Sequence, residues 1–165
     1  MKEAYEALVY HDFNDDQKWW YSLISKVKVP LKLICFVWLC LKNRVIIGDN
    51  YRTRGGIGPS ICILCLKDEE SVQHIFVDCE HTHDIWKGVC CNLKLECSWF
   101  LLPLEENIKY WFLSKPKEIV VPFMVLWGIW LHRNNVFVNG LRQNVEEVNK
   151  KIYKALVDYK VDSDK

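Results

Sequence analysis

Residues 62 to 79 read Cys62-Ile-Leu-Cys65-Leu-Lys-Asp-Glu-Glu-Ser-Val-Gln-His74-Ile-Phe-Val-Asp-Cys79, a Cys-x2-Cys-x8-His-x4-Cys pattern. Two cysteines separated by two residues wrap one metal ion through a tight turn whose backbone amides can offset the thiolate charge. A histidine and a third cysteine complete a tetrahedron of three soft sulfurs and one nitrogen, a donor set that favours zinc over hard cations. Cys62, Cys65, His74 and Cys79 are therefore the candidate metal ligands, with zinc as the cofactor. Four protein ligands close the shell and leave no position for an activated water, which points to a structural and not a catalytic ion. His74 and Cys79 lie five residues apart, about 140° round an ideal helix. One straight helix does not aim both at one ion, so a helix is expected to start near Cys79 and not to run through it. His81 and His83 are rival ligands close by, or else sit at the exposed start of that next helix. Cys90, Cys91 and Cys97 read as buried thiols, since a second site would need histidines that are not near them in sequence.

Working outward, the pattern is helical on both sides. Apolar residues at 19, 20, 23, 24 and 27 have helical spacing that stops before Pro30. Pro30 suits the first turn of a new helix from Leu31 to about Lys42, apolar nearly all round and so expected in the core. Gly48-Asp49-Asn50 can cap a short helix through Arg54, and Gly55 to Pro59 breaks regular structure before the first ligand. Beyond Cys79, a helix is predicted over Thr82 to Cys91, with Ile85, Trp86 and Val89 on one side. A loop follows over 92 to 103. Helices are then predicted over Leu104 to Leu113 and about Glu118 to Val138, the second with a possible kink at Pro122 and a stop at Asn139-Gly140. A last amphipathic helix spans about Val145 to Tyr159. Strands have little room apart from a short hairpin at the first two cysteines. The fold class is mainly α, a compact helical domain carrying a small Cys-Cys-His-Cys zinc-bound turn or hairpin. Three parts are expected: a leading segment 1–18 with a short helix at Lys2 to Tyr10, a zinc-binding helical domain 19–140, and a C-terminal helix and tail 141–165.

The composition supports a packed globule. The chain has 165 residues, half of them apolar, with eight Trp, seven Tyr and seven Phe to supply large buried areas. No secretory signal opens the sequence, and the apolar runs Leu33 to Leu41 and Ile119 to Leu131 fall short of the roughly 20 residues of a membrane span. An intracellular location, nuclear or cytoplasmic, without a membrane partner is the expectation. In a reducing compartment eight cysteines point to metal binding plus buried thiols, not to disulfides.

A net charge of +1 decides nothing about partners, but its distribution is informative. Between Lys26 and Lys67 the basic residues are Lys26, Lys28, Lys32, Lys42, Arg44, Arg52, Arg54 and Lys67, against Asp49 alone. The first seven form a candidate phosphate-binding face for RNA or DNA, or else a solvated helix face. From Asp68 to Asp84 the sign reverses, with six carboxylates and no Lys or Arg. A knuckle that grips single strands pairs basic residues with exposed aromatics, and this one offers little beyond Phe76. The metal turn is thus expected to staple the domain, with nucleic-acid contact arising beside it. A protein partner docking on the aromatic surface or the acidic side of the turn is the alternative. Phe13-Asn14-Asp15-Asp16 superficially matches the aromatic-x-Asp-Asp turn of polymerases, but it lacks apolar flanking strands and reads as coincidence.

Three segments together resemble a known family: Trp19 to Leu39 with its Val-Pro-x-Lys and Phe-x-Trp-Leu; Gly56 to Trp86 with the Cys-x2-Cys, Glu-Ser, His-x-Phe and Cys signature; and Val125 to Gly140, like the family's Trp-x2-Trp-x2-Arg-Asn-x3-Phe but with one residue fewer before Phe137. The family is the zinc-binding domain found downstream of the reverse transcriptase in plant LINE-type non-LTR retrotransposons, and the resemblance covers about residues 19 to 140. It implies that Cys62, Cys65, His74 and Cys79 are the zinc ligands, which counts against His81 and His83. It also implies a non-catalytic role near RNA or DNA, and a chain that is a retroelement-derived gene product or a piece of a longer polyprotein. Ile75 and Glu80 depart from the family pattern, and neither is a ligand.

Overall fold

A computed structural model describes residues 24, 26–48, 54–57, 61–99 and 102–165. Five α-helices organise them: α1 (Leu31–Leu41), α2 (Glu80–Leu93), α3 (Leu104–Ser114), α4 (Val120–Asn139) and α5 (Val145–Ser163). The protein is mainly helical, as its periodicities predict. The expected hairpin reduces to one antiparallel bridge between Ile61 and Glu69, and no strand occurs among the described residues. None of the described helices is long and apolar enough to cross a membrane. The expected helix over residues 2–10 lies outside the described residues, as do residues 49–53 of the one expected to end at Arg54 and residues 19–23 and 25 of the one over 19–27.

Local chemistry accounts for the helix ends. Pro30 stands at the N-cap of α1 with an extended ψ of 138°, so its missing N–H costs nothing. Gly140 closes α4 in the left-handed region at φ +66°, where a side chain would be strained. Asn144 opens α5 by accepting a 2.8 Å hydrogen bond from Glu147 N at Oδ1. Pro122 does not break α4, because the helix begins only at Val120 and the third residue has no intrahelical N–H bond to lose. A 3₁₀ turn over Pro116–Glu118 supplies the preceding residues. The last helix runs to Ser163, one turn beyond the amphipathic pattern.

The centre is α4, which touches α1, α2, α5 and the turn that carries His74. Phe36 of α1 packs edge-on against Phe76 at 5.8 Å and Trp127 at 5.2 Å, joining three of these elements. α1 is not wholly buried: Leu33, Ile34, Phe36, Val37 and Cys40 are, while Leu31 and Lys32 reach solvent. On the other side, Trp86 of α2 stacks on Trp99 at 4.1 Å and meets Trp111 of α3 at 5.5 Å. α5 closes the bundle against α2 and α4 at two glycines. A Cβ at Gly88 would lie 1.9 Å from Asn149 Nδ2, and one at Gly128 would lie 2.5 Å from Ile152 Cγ1. Both positions let helix backbones approach a neighbour that any larger residue would push away.

Candidate metal centre

The knuckle is built by its own backbone. Cys62 N donates to Asp68 O at 2.8 Å, and Leu66 N donates to Cys62 O at 2.8 Å. Leu66 takes a left-handed φ of 59° to turn the chain back. The second half of the site solves the five-residue spacing of His74 and Cys79 with a π-helical turn, His74–Asp78. Cys79 N donates to His74 O at 2.7 Å, an i to i+5 bond that brings the two side chains to one side. Cys79 itself is extended, and α2 starts at the next residue, as the spacing predicts.

Such a turn leaves carbonyls without helical partners. Thr82 Oγ1 donates to Ile75 O, and Trp99 Nε1 donates to Phe76 O at 2.9 Å. Ser71 Oγ accepts from His74 N at 3.0 Å, and Gln73 Oε1 accepts from Leu104 N at 2.9 Å. The ligand turn is therefore held by α2, by the loop after it and by the start of α3.

The ligand atoms of Cys62, Cys65, His74 and Cys79 lie within 4.8 Å of one another. Cys62 and Cys79 Sγ are 4.0 Å apart, and Cys65 Sγ is 3.3 Å from His74 Nε2. A tetrahedral zinc site with usual bond lengths has sulfur–sulfur edges of about 3.8 Å and sulfur–nitrogen edges of about 3.6 Å. The donor set and its spacing thus fit zinc. Cys62 and Cys79 are fully buried and His74 is 8% exposed, so water cannot satisfy these groups. Cys62 is pushed up to about 12 by its hydrogen bond to Cys79 and by burial, and Cys79 is lowered by the same bond. His74 is raised to about 9, chiefly by its hydrogen bond to Cys62.

Neither rival histidine joins this group. His81 Nε2 is 3.2 Å from His132 Nε2, with the rings nearly parallel at 14°. His83 lies on α2, outside the cluster. Of the three thiols expected to be buried, Cys90 is, Cys97 is half-buried and Cys91 is exposed, because it stands about 100° round α2 from Cys90; all three are unbridged. Cys97 is lowered to about 7, first by its hydrogen bond from Cys90, whose own thiol is raised by that bond.

Two long-range contacts escape sequence reasoning. Arg142, between α4 and α5, donates Nη2 to Ile63 O and Nη1 to Leu64 O, both at 2.6 Å, gripping the two residues between the knuckle cysteines. Glu70, counted above among the acidic residues, is 1% exposed and pairs with Arg133 of α4 at 2.6 Å, while also accepting from Gly48 N at 2.7 Å. Arg133 in an apolar helix was the available signal, since a buried guanidinium needs a counterion. Arg142 had no such signal.

The basic residues separate into two groups. Lys26, Lys28 and Lys32 stand before or at the start of α1, exposed. Lys42, Arg44 and Arg54 gather beyond its other end, roughly 15 Å along the helix, where Arg54 Nη2 donates to Arg44 O at 3.4 Å. Lys28 shares a cleft with Asp158 and Asp162. Lys32 Nζ stands 5.6 Å over the Trp127 ring. Arg52 and the Phe13 to Asp16 segment lie outside the described residues.

Residues 1–86, just over half of the chain and including all four candidate ligands, match the family described as zinc-binding in reverse transcriptase. No curated protein and no solved structure matches the chain.

Proposed function

The chain belongs to the family of zinc-binding domains in reverse transcriptase, and on that premise we propose that Cys62, Cys65, His74 and Cys79 hold one structural zinc ion in a non-catalytic domain of LINE-type origin. The observation that carries this reading is the buried three-sulfur, one-nitrogen cluster with tetrahedral spacing. Bound there, zinc neutralises thiolate charge and ties the knuckle to the π-helical turn. Because protein atoms fill all four positions, the role is that of a cross-link. The domain contacts RNA or DNA beside the zinc turn, through Lys26, Lys28 and Lys32 at one end of α1 and Lys42, Arg44, Arg52 and Arg54 at the other. Binding of a labelled single-stranded RNA to the zinc-loaded protein tests this: affinity falls steeply with salt, and Arg52→Ala with Arg54→Ala weakens it. Salt-insensitive binding, or none at low salt, refutes it.

A protein-interaction module is the second reading. It is favoured by the exposure of the large apolar residues Leu66, Val138 and Leu141, at 64%, 74% and 60%. A partner that survives nuclease treatment in pull-down would select it.

A further inference from the structure

α4 has apolar residues on nearly every side, yet its neighbours among the described residues leave one face open. On that face a cleft of about 370 Å³ runs between α4 and α5. Trp127 and Leu131 from α4 and Ile152 from α5 form its apolar walls, and Leu131 is half exposed at its edge.

The polar groups of the cleft select its occupant. Asn135, Gln143, Lys151 and His132 line it, and among the described residues no Asp or Glu does. Lys151 Nζ donates to Gln143 Oε1 at 2.9 Å, so a cation and a carboxamide form one edge. His132 is 4% exposed, and its Nδ1 is buried without a partner. Outside the wall, Lys32 Nζ stands 5.6 Å over the Trp127 ring. An aromatic and aliphatic slot, carboxamides to bond ring edges and flanking cations without a carboxylate suit a flat heterocycle that carries negative charge beside it. A cationic or purely aliphatic ligand leaves these groups unused.

We propose that this cleft receives a base of single-stranded nucleic acid, with Lys32 and Lys151 meeting the adjoining phosphates. The inference rests on the nucleic-acid reading above and adds to it a place where the strand is held by a base as well as by its charge. Asp158 and Asp162 border the neighbouring cleft at Lys28, so the strand leaves over Lys32 and not along the end of α5.

The test uses the full, zinc-loaded chain and two fluorescent RNA strands of about 12 nucleotides, one of uniform sequence and one abasic throughout, compared by anisotropy at low salt. The base-bearing strand binds at least about tenfold more tightly, the scale of one stacked base. Trp127→Ala removes that difference. Since Trp127 also packs on Phe36, Ala155→Phe serves as the second variant: it fills the cleft from its edge and lowers the base-bearing strand to the abasic affinity, leaving abasic binding unchanged. Equal affinity of the two strands for the parent protein overturns the base site while leaving a charge-only contact standing. Binding of neither strand overturns both. A concentration-dependent dimer that Ala155→Phe abolishes assigns the cleft to a second copy of the chain and likewise overturns the proposal.

Discussion

Replacing Glu70 by Ala removes a carboxylate that joins three distant segments. Glu70 accepts from Arg133 Nη2 at 2.6 Å, Arg133 Nε at 3.4 Å and Gly48 N at 2.7 Å, all buried. The substitution strands a guanidinium that is 7% exposed. Its contacts to Asn134 Oδ1 and the Trp130 and Phe137 rings do not supply a counter-charge. Breaking a buried pair from one side costs about 3–5 kcal/mol, which for a domain of this size lowers the Tm by about 10 °C. Removing both charges avoids the stranded ion, so Glu70→Leu with Arg133→Met leaves mainly the unpaired Gly48 N–H, a loss of about 1–3 kcal/mol. Urea unfolding of the zinc-loaded proteins, followed by tryptophan fluorescence, measures Glu70→Ala, the single variants Glu70→Leu and Arg133→Met, and their double. The account expects the double variant to be more stable than Glu70→Ala. A Glu70→Ala loss below about 1 kcal/mol, or single losses that simply add in the double, refutes the claim that this pair ties the metal loop to α4.

Arg142→Gln frees the Ile63 and Leu64 carbonyls, and chelator competition is expected to show zinc affinity reduced about tenfold, with little change in helical content; unchanged affinity removes Arg142 from the site. His132 gives a pH signature. Burial first, then His81 and nearby cations, push its imidazole down to about 4 from an ordinary 6.5. The unfolded chain therefore takes up this proton first as pH falls, so the stabilisation is full above about 6.5 and is lost progressively towards 4, amounting to about 2 kcal/mol by pH 5. His132→Asn is expected to flatten that part of the stability profile relative to the parent protein, and parallel profiles contradict the assignment.

Local signals carried much of the architecture. Pro30 and Asn139-Gly140 are end signals with direct steric causes, and the helices they bound are where periodicity puts them. The four candidate ligands were legible from spacing because a knuckle is a local turn. The π-helical turn was not: the pattern showed that one straight helix fails, but the solution depends on Thr82 and Trp99 reaching back to carbonyls of residues 75 and 76. Contacts across 63 and 78 residues, Glu70 with Arg133 and Arg142 with the knuckle, exist only once α4 and α5 have packed. In the same way His81 reads as a spare ligand until α4 brings His132 to it.

The central claim is that Cys62, Cys65, His74 and Cys79 hold a zinc ion that staples the fold, and metal analysis of the purified chain tests it most directly. The account predicts about one zinc per chain, lost in Cys65→Ser and in His74→Ala and retained in His83→Ala. Zinc retained in His74→Ala but lost in His83→Ala, or a folded chain that carries no metal and takes up none, would contradict it.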